Sequence, residues 1–337
     1  MKFQEIIAKR ALVVMSVLFT LGISPQVLGQ EVIKLHHDQT TDSAQHEGVE
    51  RFKDLVEART NGRYEVEIYP NNALGDDVEV AQQMQFGAVQ AAPIPTAKLT
   101  GFARNLGIID LPFLFPSREV AYKFLDSEMG LKIMDGLRES GFEPAMFWES
   151  GFKQFTANHA IEEPSDFSDT NVRVMESPLL IAQFRALDAR PVPISFSETY
   201  TALQQGVVES QENPLVSIYN MRFHEVQDYL MLSNHGYLAT AFIFSKVWFD
   251  DLSTADQKVM RSAAMEAGDY QRQRSIEREQ AYLDGIIEDG GTKVIELDDQ
   301  AMSKFRTAMA PVYDEFSNSL EPGLVETVVD EIERLSP

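Results

Sequence analysis

The chain contains no cysteine. Disulfides, thiolate metal sites and a cysteine nucleophile are therefore excluded. At 337 residues it is long enough for two lobes, and lobes of that size bury enough apolar surface without covalent staples. Common catalytic patterns are missing as well. There is no G-x-S-x-G elbow, no phosphate-binding loop and no dinucleotide glycine pattern. His46-Glu47 with Glu50, and likewise His224-Glu225, lack the second histidine of a zinc-protease helix. His36-His37-Asp38 could ligate a metal, but adjacent residues on a strand point apart, which weakens that reading. His235 reads as a core or hinge hydrogen-bonder rather than a catalyst. Nothing pairs a nucleophile with a base. No metal or cofactor is expected, and function falls to binding.

Basic residues are scarce, with Lys and Arg at 29 against 52 Asp and Glu, a net charge of −23. Residues 1–29 carry a net +2, which leaves −25 on the remainder. Nucleic acid and anionic membrane surfaces are poor partners for such a field. An anionic ligand must then be held by local, partly desolvated donors. Long apolar runs are also absent, save one at 11–23 that follows Lys2, Lys9 and Arg10 and precedes Val27-Leu28-Gly29. That is the layout of a secretory signal. It is shorter than the roughly 20 residues that span a bilayer. Residues 1–29 are accordingly expected to be an export signal, cleaved near Gly29 and without a cysteine for lipid attachment.

What the chain does contain is a β-α-β-α-β pattern between Val172 and Pro214. Val172 and Val174 can enter a core while Arg173 projects the other way. Ser177-Pro178 opens a helix over 178–187. A strand follows at 191–195, then a helix at 198–205 stopped by Gly206, then a strand at 207–210. Open α/β sheets bind ligands beyond the carboxyl ends of their strands. Arg173 in one strand, Phe196 past a second and Asn213 past a third can converge on one cleft. A guanidinium fork matches a carboxylate with two charge-assisted hydrogen bonds. An asparagine amide donates to the same group, and a phenylalanine covers an apolar ligand face. The alternative is a surface ion pair, a core ring and a turn residue.

Elsewhere, strands are expected at 32–35, 64–69, 88–94, 144–148 and 238–244, with helices at 49–60, 77–86 and 117–139. The longest helical pattern runs from Thr254 to Asp289, capped by Ser253 with Asp256 and ended by Gly290-Gly291. At 1.5 Å per residue it would span roughly 50 Å. Its middle, 271–280, is polar on nearly every side, as in a helix that bridges domains through solvent. Two helices with a break remain the alternative.

The stretch Arg173, Phe196, Ser197-Glu198-Thr199-Tyr200, Ala202-Leu203-Gln204, Gly206 and Gln211-Glu212-Asn213-Pro214 resembles the signature of TRAP transporter solute-binding proteins, the DctP-like family. Leu74-Gly75-Asp76-Asp77 and Leu111-Pro112-Phe113 extend the likeness. It implies a two-lobed α/β binding-protein fold, type II-like, with a mixed sheet in each lobe and a long helix across both. Residues 30–150 with 239–270 would form lobe I. Residues 151–238 with 290–337 would form lobe II, and 254–289 the spanning helix.

The resemblance also implies a soluble, monomeric periplasmic receptor that hands a small organic acid to membrane permease subunits. Arg173 and Asn213 would take the ligand carboxylate while Phe196 packs against its body. Lys153 stands where the family usually has a second arginine, so it keeps the charge and loses the fork. Asp38 and Asp77 align with first-lobe contacts, although Asp77 is equally explained by the helix dipole. Trp148 either walls the cleft or sits in the core. Pro95 replaces an acidic residue of sialic-acid binders and argues against that ligand. A sugar acid such as a uronate or aldonate suits Asp38 with Arg173, and a C4-dicarboxylate is the runner-up. The rival from another class is a secreted enzyme acting on a sugar acid.

Overall fold

A computed structural model describes residues 30–337, and the expected export signal lies outside the described residues. Among the described residues, nine strands form one continuous sheet. They are β1 (Glu31–His36), β2 (Tyr64–Tyr69), β3 (Ala91–Pro95), β4 (Phe142–Ala157), β5 (Asn171–Val174), β6 (Arg190–Pro193), β7 (Ser210–Pro214), β8 (Tyr229–Ser245) and β9 (Lys293–Glu296). The order is β2-β1-β3-β8-β4-β7-β5-β6, with β9 on β8.

Two strands make this one sheet rather than two. β4 has 16 residues and β8 has 17, against a usual strand of about 5–6. The first half of β4 pairs with the end of β8, which also carries β3, while Lys153–Ala157 pair with β7. Both strands thus pass from the first lobe into the second. The apolar pattern marks only their 144–148 and 238–244 portions, and no expected strand continues through Gly151. Gly151 instead adopts φ +111° inside β4, where the register slips between Glu149 and Gly151. Asn234, at φ 43°, bends β8 beside the crossing. A bulge at a left-handed glycine lets a strand bend without ending.

The long helix runs unbroken from Thr254 to Asp289, with the Ser253 side chain accepting from the Asp256 amide and Gly290 left-handed at its end. It packs on the helix Ala44–Arg59 of the first lobe, on β4, and on the helix Leu215–Asn220 of the second. Its polar middle does not bridge through solvent. Gln271 and Arg272 are buried. Gln271 bonds both the amide and the carbonyl of Glu149, and Arg272 donates to Asp126 and to the Phe147 carbonyl. Arg118 joins Glu149 to Glu279, and Arg274 and Arg278 hold Glu47. The polarity serves the crossing strands, which a solvent-facing reading could not anticipate.

Trp148 is fully buried, packed at 4.9 Å against Phe242 with Ile33, Phe52, Phe244 and Ala267 in the same cluster. It therefore belongs to the core, not to the cleft wall. Gly268 on the long helix lets the backbone approach it. A methyl group there would meet the Met146 sulfur and come within 2.5 Å of the Trp148 Nε1. Overpacking of this kind costs about 1–3 kcal/mol. Gly268→Ala is expected to lower the urea midpoint accordingly, and an unchanged midpoint would show that the helix is free to shift. At the C-terminal end, helices make contacts on both sides of the expected lobe boundary. The helix Pro311–Ser317 contacts Pro178–Arg185 of the second lobe, but Leu324–Leu335 returns to pack on Arg118–Leu125 of the first.

Candidate functional site

Strand alternation divides the second-lobe residues between two faces. On β5, Val172 and Val174 are in the core while Arg173 points away. Arg173 lies opposite Gln211 of β7, Gln211 opposite Thr156 of β4, and Asn213 opposite Gln154. Directly paired residues share a face. Arg173, Gln211, Asn213, Gln154 and Thr156 thus form one polar face. Lys153, Phe155 and Glu212 occupy the other.

On the polar face Arg173 is 1% exposed. Its Nε donates to the Ile194 carbonyl at 2.9 Å, and its Nη2 is buried with no hydrogen-bond partner among the described residues. Burial pulls its pKa down to about 10, against the pull of Glu212, Asp76 and Asp38 at longer range. Phe196 opens the turn just after β6, its ring centroid 6.0 Å from the guanidinium carbon. Phe223 supports that ring edge-on at 5.9 Å. Asn213 lies within β7 rather than past it, and its Nδ2 donates to Gln211 Oε1 at 2.5 Å. The expected strand ended four residues early because the polar run Gln211-Glu212-Asn213 carries no apolar alternation.

Lys153 does not present its ammonium beside Arg173. It is fully buried on the opposite face and donates to Glu212 Oε1 at 2.7 Å. Glu212 Oε2 lies 2.6 Å from His235 Nε2, and Phe155 stacks on that imidazole at 3.7 Å. Burial would raise the Glu212 pKa, but Lys153 and His235 outweigh it and hold it near 2. Burial lowers the His235 pKa despite Glu212. Sequence reasoning assigned Glu212 no role. Its place between Gln211 and Asn213 on a strand was the available signal, because alternation puts it with Lys153.

The first lobe supplies acids and amides. Asp38 is buried, accepts from Gln39 and Gln45 at 3.2 and 3.3 Å, and is pushed up to about 7 by burial and by Asp77. Gln45 Oε1 and Asn72 Oδ1 are buried without partners among the described residues. Gln39 Oε1 reaches Ser217 Oγ of the second lobe at 3.5 Å, the outer limit of a hydrogen bond. Asp77, first in its helix after the capping residue Asp76, is not free for a ligand. One oxygen takes Lys98 Nζ at 2.8 Å and the other His36 Nε2 at 3.1 Å. Burial opposes these partners, which nevertheless hold its pKa near 2. His37 turns the other way and meets His46 Nδ1 at 2.9 Å, as strand alternation requires. Lys98, Gln39 and Gln45 escaped sequence reasoning, since each sits in a loop or helix turn without periodic signal.

Comparison with known proteins follows the same lines. Residues 35–319 match the family DctP, described as bacterial extracellular solute-binding protein, family 7. The C4-dicarboxylate-binding periplasmic protein DctP of Rhodobacter capsulatus is 33% identical over 303 residues, 89% of this chain and 91% of the relative. The sugar acid binding protein DctPAm from Advenella mimigardefordensis strain DPN7T, solved with galactonate, superposes with a TM-score of 0.89 at 31% identity, covering 91% of this chain and 99% of that one. A TRAP periplasmic solute binding protein from Sulfurospirillum deleyianum DSM 6946, solved with succinate, gives 0.86 at 31% identity over 91% and 99%.

Proposed function

Because the chain belongs to the DctP family of bacterial extracellular solute-binding proteins, we propose that it is the periplasmic receptor of a TRAP transporter, capturing a small carboxylate and passing it to a membrane permease. The observation that carries this reading is the buried Arg173 Nη2, which has no hydrogen-bond partner among the described residues and lies near the Phe196 ring on the sheet face that also carries Asn213. A desolvated, unpaired cation is costly unless an anion comes to it. The ligand carboxylate takes the guanidinium fork and the Asn213 amide, and Phe196 covers its carbon body. Binding, not turnover, is the role, and the ligand is released unaltered.

The far end of the ligand meets acceptors: Asp38, Gln45 Oε1 and Asn72 Oδ1. Such a set suits the hydroxyl donors of an aldonate or uronate. The repulsion that a chain of net charge −23 exerts on an anion is offset locally by the Arg173 guanidinium, not by these acceptors. A C4-dicarboxylate is the second reading. It is favoured by the 33% identity to the Rhodobacter capsulatus protein and by the raised Asp38 pKa, since a protonated carboxyl can donate to a second carboxylate. Ligand closes the lobes by bending β4 and β8 at Gly151 and Asn234, a shift between open and closed populations.

Melting curves with galactonate and succinate test both readings. A ligand at a hundredfold excess over Kd adds about 2.7 kcal/mol of stability. Galactonate is expected to raise the melting temperature more than succinate, and recovered galactonate should be chemically unchanged. The reverse order would select the dicarboxylate. No shift with any sugar acid, hydroxy acid or dicarboxylate would refute a carboxylate receptor, and turnover would make the chain an enzyme.

A further inference from the structure

The polar face contains a second device that reaches away from the ligand. From Asn213, buried hydrogen bonds continue to Gln211, then Thr156, then Gln227, crossing β7 and β4 to the turn before β8. We propose that Gln211, Thr156 and Gln227 form a one-way relay that sets which atom of the Asn213 amide faces the ligand carboxylate. The proposal rests on the functional reading above, in which Asn213 is a carboxylate contact.

The direction of the relay follows from its outer end. Gln227 Nε2 donates to the backbone carbonyls of Val226 and Glu209 and to Asn158 Oδ1. Main-chain carbonyls only accept, so the Gln227 amide cannot be turned over without facing oxygen to oxygen. Its Oε1 must point at Thr156, whose hydroxyl donates to it at 2.9 Å. With its one proton committed, that hydroxyl can only accept from Gln211 Nε2, at 2.8 Å. Gln211 Oε1 is then turned toward Asn213 and takes a proton from its Nδ2.

Among the described residues, Asn213 Nδ2 makes that one hydrogen bond, which leaves its second hydrogen for the ligand. A flipped amide would set Asn213 Oδ1 against Gln211 Oε1. It would also put an oxygen in place of the donor that a carboxylate needs. Gln154, opposite Asn213, does not interfere. Its Oε1 accepts from the Ser233 and Asn234 amides, and its Nε2 donates to Asn234 Oδ1 and the Phe152 carbonyl. Gln211, Thr156 and Gln227 are all nearly inaccessible, so water does not substitute for a missing link. These three are positioning residues: they act through Asn213.

The test is calorimetric binding of galactonate, or of succinate where galactonate gives no heat, to the full exported protein. Thr156→Val keeps the shape and deletes the hydroxyl. It is expected to weaken binding about tenfold, the loss of roughly one oriented hydrogen bond, while Thr156→Ser restores affinity to within about threefold. In an Asn213→Ala background, Thr156→Val should have no further effect, within about twofold. Gln227→Met, one link further out, is measured in the same way and carries the test if Thr156→Val does not fold. Full affinity in Thr156→Val, or an equal loss with Asn213 already removed, would overturn the relay and leave the site reading intact. Full affinity in both Arg173→Ala and Asn213→Ala, or binding of neither acid, would remove the site reading and the relay with it.

Discussion

Arg173→Met should abolish tight carboxylate binding and at the same time make the ligand-free protein melt at a higher temperature. The two effects have one cause. The guanidinium is 1% exposed, and among the described residues its one hydrogen bond is to the Ile194 carbonyl. Its pKa falls from 12.5 to about 10 through burial. For a base, a lowered folded pKa is a destabilising contribution. The penalty is fully present below about pH 10 and is relieved as pH rises toward the unfolded value. The shift corresponds to about 3 kcal/mol. Methionine fills most of the space without the charge, at the cost of leaving the Ile194 carbonyl unpaired, about 1–2 kcal/mol. The net gain of roughly 1–2 kcal/mol should appear as a rise of a few degrees. Binding moves the opposite way. Loss of two charge-assisted hydrogen bonds amounts to about 3–5 kcal/mol, a factor on the order of a hundred to several thousand in Kd. Arg173→Lys keeps the charge and loses the fork, and should fall between. Calorimetry and melting with and without ligand separate the outcomes. A variant that melts lower and still binds would make Arg173 a structural residue.

The signature around Arg173 could be read in sequence because its geometry is local. A strand of four residues alternates, so Val-Arg-Val alone puts the arginine opposite the core. The long helix was legible for the same reason, since Ser253 and Gly290 are cap residues with local mechanisms. What sequence did not yield are relations between distant segments. Only the partner strand reveals that β4 and β8 continue through Gly151 and Gly236. Lys153 read as a ligand contact because its pairing with Glu212 depends on the β4–β7 register, 59 residues apart. Asp77 read as either a ligand contact or a helix-dipole partner for the same reason, with Lys98 and His36 lying 21 and 41 residues away. Trp148 was open between wall and core until the long helix was seen to cover it.

The Lys153–Glu212 pair carries the second large expected effect, this time on stability. Both residues are at most 2% exposed, and the ammonium and carboxylate meet at 2.7 Å. Removing one partner of such a pair leaves the other charge buried and alone, a loss of about 3–5 kcal/mol. Lys153→Met and Glu212→Gln are each expected to lower the unfolding free energy by that much, read as a fall in the urea midpoint at unchanged slope. The double variant should lose far less than the two together, because no charge is then stranded. The same pair sets an acid limb. Glu212 is lowered from 4.5 to about 2, so its stabilisation is complete above pH 4.5 and is lost as pH falls from there toward 2. Asp77, lowered from 3.8 to about 2 beside Lys98, adds to the lower part of that window. Unfolding measured from pH 6 to pH 2 should therefore show a steep decline in the natural chain and a shallower one in Glu212→Gln. Additive single losses, or identical acid limbs, would mean that the carboxylate is not held by the lysine. Ligand affinity in the folded double variant tests the division of labour between the two sheet faces. It should change far less than in Arg173→Met, because the pair lies behind the strand and the guanidinium in front of it.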